Sequence, residues 1–415
     1  MTSRKVWHDR DFAVFWGVQT LSELGNSFAF VALPLLVLHA TGSAAQMGAL
    51  TAVAAVASMG TGPFAGMLAD RFDRRLLLML CDGARMLLYG LIPIVWAFSP
   101  QVWLLYVVMA VVSAFEMIFK VGYVAAVPSL VEPGRVVEAN SLMETTNAIS
   151  YVAGPALAGL VSGLFGPTAA ITANAVSFGV SLLGLAMIRL RTRDRPATRP
   201  ALREGFLVGA AFIWRTPVLR SLTLLLAVIT FLSLGMTDVV IYYVRHGLGQ
   251  GDRTVGYVLA VSGVGTSVAA YLTATLRRSL GFGTCWLGSY VLCGFAVALA
   301  AMSHGVGPVA VAVFGYSFGM ALAGICSMSL RQQVTPDELL GRTTAAFWTL
   351  HGALAPLGAA VLTALVQHLG VRGPLLAVGL VFLTVVAVGV FTPIRQREPK
   401  GPRSEPVRQV EGGGT

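Results

Sequence analysis

The chain has 415 residues, 56% of them hydrophobic and 12% charged, with a formal net charge of +10 and a mean hydropathy of +0.75. Soluble domains carry about 25% charged residues, and a sphere of this size could not hide so much apolar surface in one core. Lipid is therefore the expected solvent, and with no alternating barrel strands in the sequence the expected fold is all-α, built from spanning helices.

Met1–Arg10 is short and polar, and the apolar run after it is expected to stay as a helix rather than be cleaved as a signal. A spanning helix needs about 20 mostly apolar residues. Twelve such runs follow one another: 12–38, 45–69, 76–98, 101–127, 139–164, 167–189, 218–244, 254–277, 283–303, 307–330, 341–368 and 371–394. Short connections such as Ser99-Pro100 and Gly166-Pro167 make neighbouring helices antiparallel, with Pro opening the next helix. Basic residues then alternate by side. One side takes Arg4, Lys5, Arg10, Arg71, Arg74, Arg75, Arg135, the run 189–220, Arg277, Arg278, Arg331, Arg342 and the tail from Arg395; the other takes Arg245, Arg253 and Arg372. The positive-inside rule puts both termini in the cytoplasm of a multi-pass protein of a bacterial plasma (inner) membrane. Positive charge spread over successive loops is not a nucleic-acid face, so no nucleic-acid partner is expected. Cys81, Cys285, Cys293 and Cys326 show no metal or redox spacing and read as small buried hydrophobes. No cofactor or metal is expected, and there is no nucleotide loop, H-E-x-x-H or nucleophile elbow to suggest an enzyme.

Residues 190–217 split the runs into a six-helix bundle over 1–189 and another over 218–394. This linker starts basic and proline-containing, then turns amphipathic from Leu202, with Phe206, Ala210 and Ile213 at helical spacing; a short helix on the membrane surface is expected. The tail, 395–415, is rich in Pro, Gly and charge and is expected to be disordered. The halves echo each other. Pro133 in "LVEPGRVVEANSLM" parallels Pro336 in "QVTPDELLGRTTAA", Pro155 parallels Pro356, and "LTATLRRSLG" stands where the first half has "LADRFDRRLL". Parallel repeats of this kind suggest a transporter whose halves rock about a central site.

A charge in mid-membrane costs roughly 3 kcal/mol on insertion scales, so each one needs a use or a partner. In the first helix Glu23 lies about 16 Å deep by helical rise, on a stripe with Gln19, Ser22, Asn26 and Ser27. With no cation within a turn, Glu23 is the first candidate for binding a proton or a cationic substrate; Asp238 in the seventh run is the second. Asp82 with Arg85 and Glu116 with Lys120 read either as local pairs or, with Glu144, as a charge network reaching the loop after the second helix. Glu144 could also cap the inner end of the fifth helix. His351 reads as a packed core residue. Phe28, Phe30, Tyr242 and Trp348 could line a cavity or simply pack.

Three stretches carry a resemblance to the major facilitator superfamily, in its exporter branch of macrolide efflux proteins and the enterobactin exporter. "GMLADRFDRR" resembles the loop signature between helices two and three through Gly66, Leu68, Asp70, Arg71, Arg74 and Arg75, with Asp73 in place of a glycine. "ANSLMETTNAISYVAGPALAGL" resembles the fifth helix, with the antiporter-associated Gly154, Pro155 and Gly159; "SELGNSFAFVALPLLVL" resembles the first. The resemblance implies two six-helix bundles, a cytoplasmic gate at Gly66, Asp70, Arg71, Arg74 and Arg75, and a fifth helix whose Gly-Pro stretch bends or packs closely. For Arg74 and Arg75, positive-inside anchoring explains the charge as well. The matching loop of the second half has Ala274 and Thr275 before Arg277, so a single strong gate is expected. The expected function is export of a small amphipathic molecule by proton antiport, as a monomer among membrane lipids. A lysophospholipid translocator and a transport-inactive sensor are the alternatives.

Overall fold

Asp9 begins the first helix of the computed structural model, which describes residues 9–132, 135–188 and 202–398. Its carboxylate accepts the Asp11 N–H at 3.2 Å and caps α1 (Arg10–Thr41). Gly42, at φ 65°, ends that helix by donating to Leu38 O, a left-handed cap that a side chain would strain. Ser43 then caps α2 (Ala44–Arg71), and Asp73 caps α3 (Arg74–Phe98) by accepting the Leu76 N–H at 2.9 Å. Next come α4 (Val102–Leu130), α5 (Val136–Phe165) and α6 (Pro167–Met187). Turns this tight force neighbouring helices antiparallel. In the first half α1 packs on α5 and α6, α3 on α4 and α6, and α2 on α4.

The segment before the second half includes α7 (Leu202–Arg215), whose Phe206, Ala210 and Ile213 pack on a core of the second half while Leu207 and Trp214 stay exposed. Then follow α8 (Pro217–Ser233), α9 (Met236–Tyr242), a π-helical turn (Tyr243–Gly247), α10 (Asp252–Leu280), α11 (Phe282–Met302), α12 (Val306–Val334), α13 (Asp337–Gly352), α14 (Ala355–Leu369) and α15 (Arg372–Val390). Taken with their continuations, these make 12 helices long and apolar enough to cross a membrane; α8 to the π turn form the seventh and α13–α14 the eleventh.

Two of the expected single runs are interrupted. Leu234-Gly235 separates α8 from α9, and there the chain approaches α14 so closely that a Cβ on Gly235 would lie 2.9 Å from Ala359 Cα. Ala353-Leu354 separates α13 from α14, where Pro356 has no N–H to continue a ladder. Its counterpart Pro155 sits inside an unbroken α5. Pro133, residues 190–201 and the tail beyond 398 lie outside the described residues. The first residues after α15 lie against α11. Gln396 O and Arg397 O accept the Gly283 and Phe282 N–H groups at 3.2 and 2.9 Å, satisfying free donors at the head of α11.

The halves meet along two seams, α5 on α10 and α2 on α14. A six-span repeat relates these seams: spans five and eight pair as spans eleven and two do. Both seams run toward the end opposite the arginine-rich loops, here called the far end. Gly256 and Gly159 face each other closely enough that a Cβ on Gly256 would lie 2.5 Å from Gly159 Cα. Gly163 meets Arg253, Gly263 meets Tyr151–Val152, and Gln367 Oε1 accepts the Ala44 N–H at 2.7 Å. Toward the arginine-rich (basic) end the same helix faces separate. Ile149, in register with Gly163, and Ala270, in register with Gly263, are both exposed.

Candidate functional site

Where the seams part, a cavity of about 500 Å³ opens between the halves. Glu23, Asn26, Ser27 and Phe30 of α1, Thr51 of α2, Glu116 and Lys120 of α4, and Asp238 of α9 all line it. Glu23 is in side-chain hydrogen-bond contact with Asn26 and within electrostatic range of Glu116, Lys120 and Arg85. Lys120 Nζ pairs with Glu116 Oε1 at 2.7 Å. Asp238 is 2% exposed, and its Oδ2 accepts the Thr51 hydroxyl at 2.7 Å, a bond that crosses from one half to the other. Three carboxylates thus face one space that holds a single ammonium. An adjoining compartment of about 390 Å³ is mostly apolar, with Met236, Val240, Tyr243, Tyr316 and Met320 among its walls. Tyr151, Thr237, Leu259 and Ser262 border both. The combined space offers a charged wall built by the first half together with Asp238 of the second, and an oily wall on the second half.

The polar stripe of α1 divides. Glu23 and Asn26 reach the cavity, but Gln19 turns inward, 2% exposed, and donates to Ser181 Oγ of α6 at 3.3 Å. Of the intramembrane charges read either as local pairs or as a network, Asp82 pairs with Arg85 and Glu116 with Lys120. Arg85 and Asp82 bond inside the first half, 2% and 0% exposed, with the guanidinium 4.4 Å from the Phe119 ring centroid and 4.2 Å from that of Phe178. Lys120 points to the cavity, and Glu144 lies exposed on α5. His351 is packed, its ring against Phe347 O at 2.6 Å. Tyr242 stacks on His246, and Trp348 is exposed. The four cysteines are free thiols, all buried. Among the described residues no group of three or more His, Cys, Asp or Glu could hold a metal ion.

The loop resembling a gate has mixed duties. The Asp70 side chain lies outside the described residues, Gly66 sits in α2, and Arg71 is exposed. Arg75 does something local: Nε donates to Leu185 O at 2.8 Å and its Nη2 to Ala186 O, so it caps the open carbonyls at the end of α6. Arg75→Ala should therefore lower stability by about 1–2 kcal/mol, read as a lower unfolding midpoint in detergent. Gly154 packs against Ser27, so the Gly-Pro stretch is wedged between α1 and α10. In the second half Arg277 donates to Gln333 Oε1 at 2.6 Å, within its own bundle.

One cluster went unseen in the sequence. At the far end His39 of α1 meets Asp252 of α10 and Arg245 of the π turn. Arg245 had served only to orient the chain, and nothing local ties it to a histidine 206 positions away.

Residues 15–359 match the family model of the Major Facilitator Superfamily. The chain is 27% identical over 386 residues to the multidrug efflux pump Tap of Mycolicibacterium fortuitum, covering 90% of this chain and 93% of that one. It is 24% identical to the enterobactin exporter EntS of Salmonella choleraesuis, covering 93% of each. Among solved structures, a bacterial homologue of the human lysosomal transporter Spinster superposes with a TM-score of 0.74 at 13% identity, over 92% of this chain and 95% of that one. Such a likeness extends to the fold. With 12 spans among the described residues and a family match over most of its length, the chain belongs to the Major Facilitator Superfamily and is a multi-pass membrane transporter of small molecules, not an enzyme.

Proposed function

We propose that the protein exports a small amphipathic molecule from the cytoplasm of a bacterium by proton antiport, alternating access between two six-helix halves. The observation that carries this reading is the central cavity, with Glu23, Glu116 and Asp238 on a charged wall and an apolar compartment beside it. The arginine-rich loops mark the cytoplasmic end, so a chain joined at the far end and parted at the basic end faces inward. Both termini then lie in the cytoplasm, and the transporter works as a monomer in plasma-membrane lipid. The similarity to Tap and EntS, an efflux pump and an exporter, favours the outward direction.

In this mechanism substrate enters from the basic end and places its polar group against Glu23 and Asn26. Glu23 exchanges a proton for that group, with Asp238 as a second proton site. Closure at the basic end brings the loop of Gly66, Asp70, Arg71, Arg74 and Arg75 to the other half as the gate. Each proton entering down 100 mV releases about 2.3 kcal/mol, near fiftyfold in concentration.

Glu23→Gln removes both the titratable group and a charge-assisted contact to the substrate, so it is expected to weaken substrate binding by about tenfold, the scale of one lost charged hydrogen bond, and to abolish substrate-driven proton flux. Liposomes loaded with a pH-sensitive dye and challenged with macrolides, siderophores, dye cations and lysolipids measure both. Unchanged flux with unchanged pH dependence would remove Glu23 from the coupling. The apolar compartment would also accept an acyl chain; lipid movement without proton flux would favour the translocator, and binding without flux the sensor.

A further inference from the structure

We propose that His39, Arg245 and Asp252 form a breakable latch that holds the far end shut; the proposal rests on the alternating-access reading above. Asp252 Oδ1 lies 3.2 Å from His39 Nε2 and 3.2 Å from Arg245 Nε. Arg245 Nη2 lies 2.9 Å from the same His39 nitrogen, and Nη1 donates to Gln250 O at 2.9 Å. His39 belongs to the last turn of α1, in the first half; both of its partners belong to the second.

Placement and division of labour argue for a latch over a static ion pair. Asp252 is the first residue of α10, where free N–H groups favour a carboxylate. The backbone of that same turn is what α5 packs on: a Cβ on Gly159 would lie 3.0 Å from Asp252 O, and one on Gly163 3.2 Å from Arg253 N. The His39 nitrogen either donates to Asp252 or accepts from Arg245, which Asp252 holds in place. By either route the side chain of Asp252 holds α1 at the point where its backbone holds α5, so opening the far end must part both at once. When it opens, Asp252 keeps Arg245, since the two travel in one half, and no buried charge is stranded. The imidazole of His39, already 33% exposed, returns to water. The cost of opening is then a single cross-half link, small enough for substrate and proton binding to overcome.

The test is pulsed electron-spin distance measurement on the full chain in lipid nanodiscs, with labels at Ser99→Cys and Gly307→Cys. These are far-end sites on opposite halves; both are exposed, and a Cβ at Gly307 meets nothing within 4 Å. The native cysteines are buried and stay in place. Asp252→Asn and His39→Ala should each raise the ratio of long to short distance about fivefold, equivalent to about 1 kcal/mol at 1.4 kcal/mol per tenfold. Should Asp252→Asn fail to fold, His39→Ala, altered at a helix end, decides alone. Two distances in the wild type with an unchanged ratio in the variants would overturn the latch and leave alternating access standing. A single short distance in wild type and variants would overturn both.

Discussion

Gly159→Leu is expected to abolish net transport in a protein that still folds. The reason is geometric. A Cβ at Gly159 would meet the Gly256 Cα, lie 2.8 Å from the Gly256 N and 3.0 Å from Asp252 O. All three are backbone atoms of α10 with no rotamer to turn away, so the helices must separate. Overpacking of this kind costs about 1–3 kcal/mol for the first carbons, and the rest of a leucine adds to it. The penalty falls only on the state in which the far end is shut, because α1 and α6 pack on α5 elsewhere. A bias of 1–3 kcal/mol is roughly a 5- to 150-fold shift in a two-state ratio. Transport in proteoliposomes should fall to background, and the distance between labels at Ser99→Cys and Gly307→Cys, on opposite halves at the far end, should lengthen. Gly60→Leu, where a Cβ meets nothing within 4 Å, should change neither. Full transport by Gly159→Leu with an unaltered distance would show that the seam does not have to close tightly.

That glycine was legible in the sequence for its motif, and its contact was not. The spans were readable because lipid demands long apolar helices and the sequence supplies them one after another. Glu23 was readable because a mid-span carboxylate with no cation a turn away has to look elsewhere, and it faces the cavity. Glu116 with Lys120 was readable because i, i+4 partners share a helix face. Gln19 shows the limit of such reasoning. It lies one turn from Glu23, yet it turns toward Ser181, because helical periodicity gives a direction and not the identity of the neighbour. The breaks at Leu234-Gly235 and Ala353-Leu354 leave the apolar pattern untouched and so leave no trace in hydropathy. The link of His39 to Asp252 joins residues 213 positions apart, and only the docking of the two halves creates it.

Arg85→Leu is expected to be the most destabilising single change within the first half. It would leave Asp82, fully buried, without its cation, and removing one partner of a buried pair costs about 3–5 kcal/mol. The Phe119 and Phe178 rings would also lose the guanidinium packed between them, at centroid distances of 4.4 and 4.2 Å. These contacts tie α3 to α4 and α6, and Phe119 adjoins Lys120 on the cavity wall. The pair thus lets the first half move as one body while the cavity changes shape around it. The double variant Asp82→Leu/Arg85→Leu should recover much of the loss, because replacing both charges leaves nothing buried and unpaired. Unfolding in detergent, followed for both singles and the double, should give a coupling of at least about 2 kcal/mol. Additive losses would mean that the two side chains stabilise the half independently, through packing rather than charge. A recovered double variant that transports normally would confine the pair to stability. One that folds but transports slowly would give it a second duty, holding α3 and α4 in the register that Glu23 needs, since Arg85 lies within electrostatic range of that carboxylate.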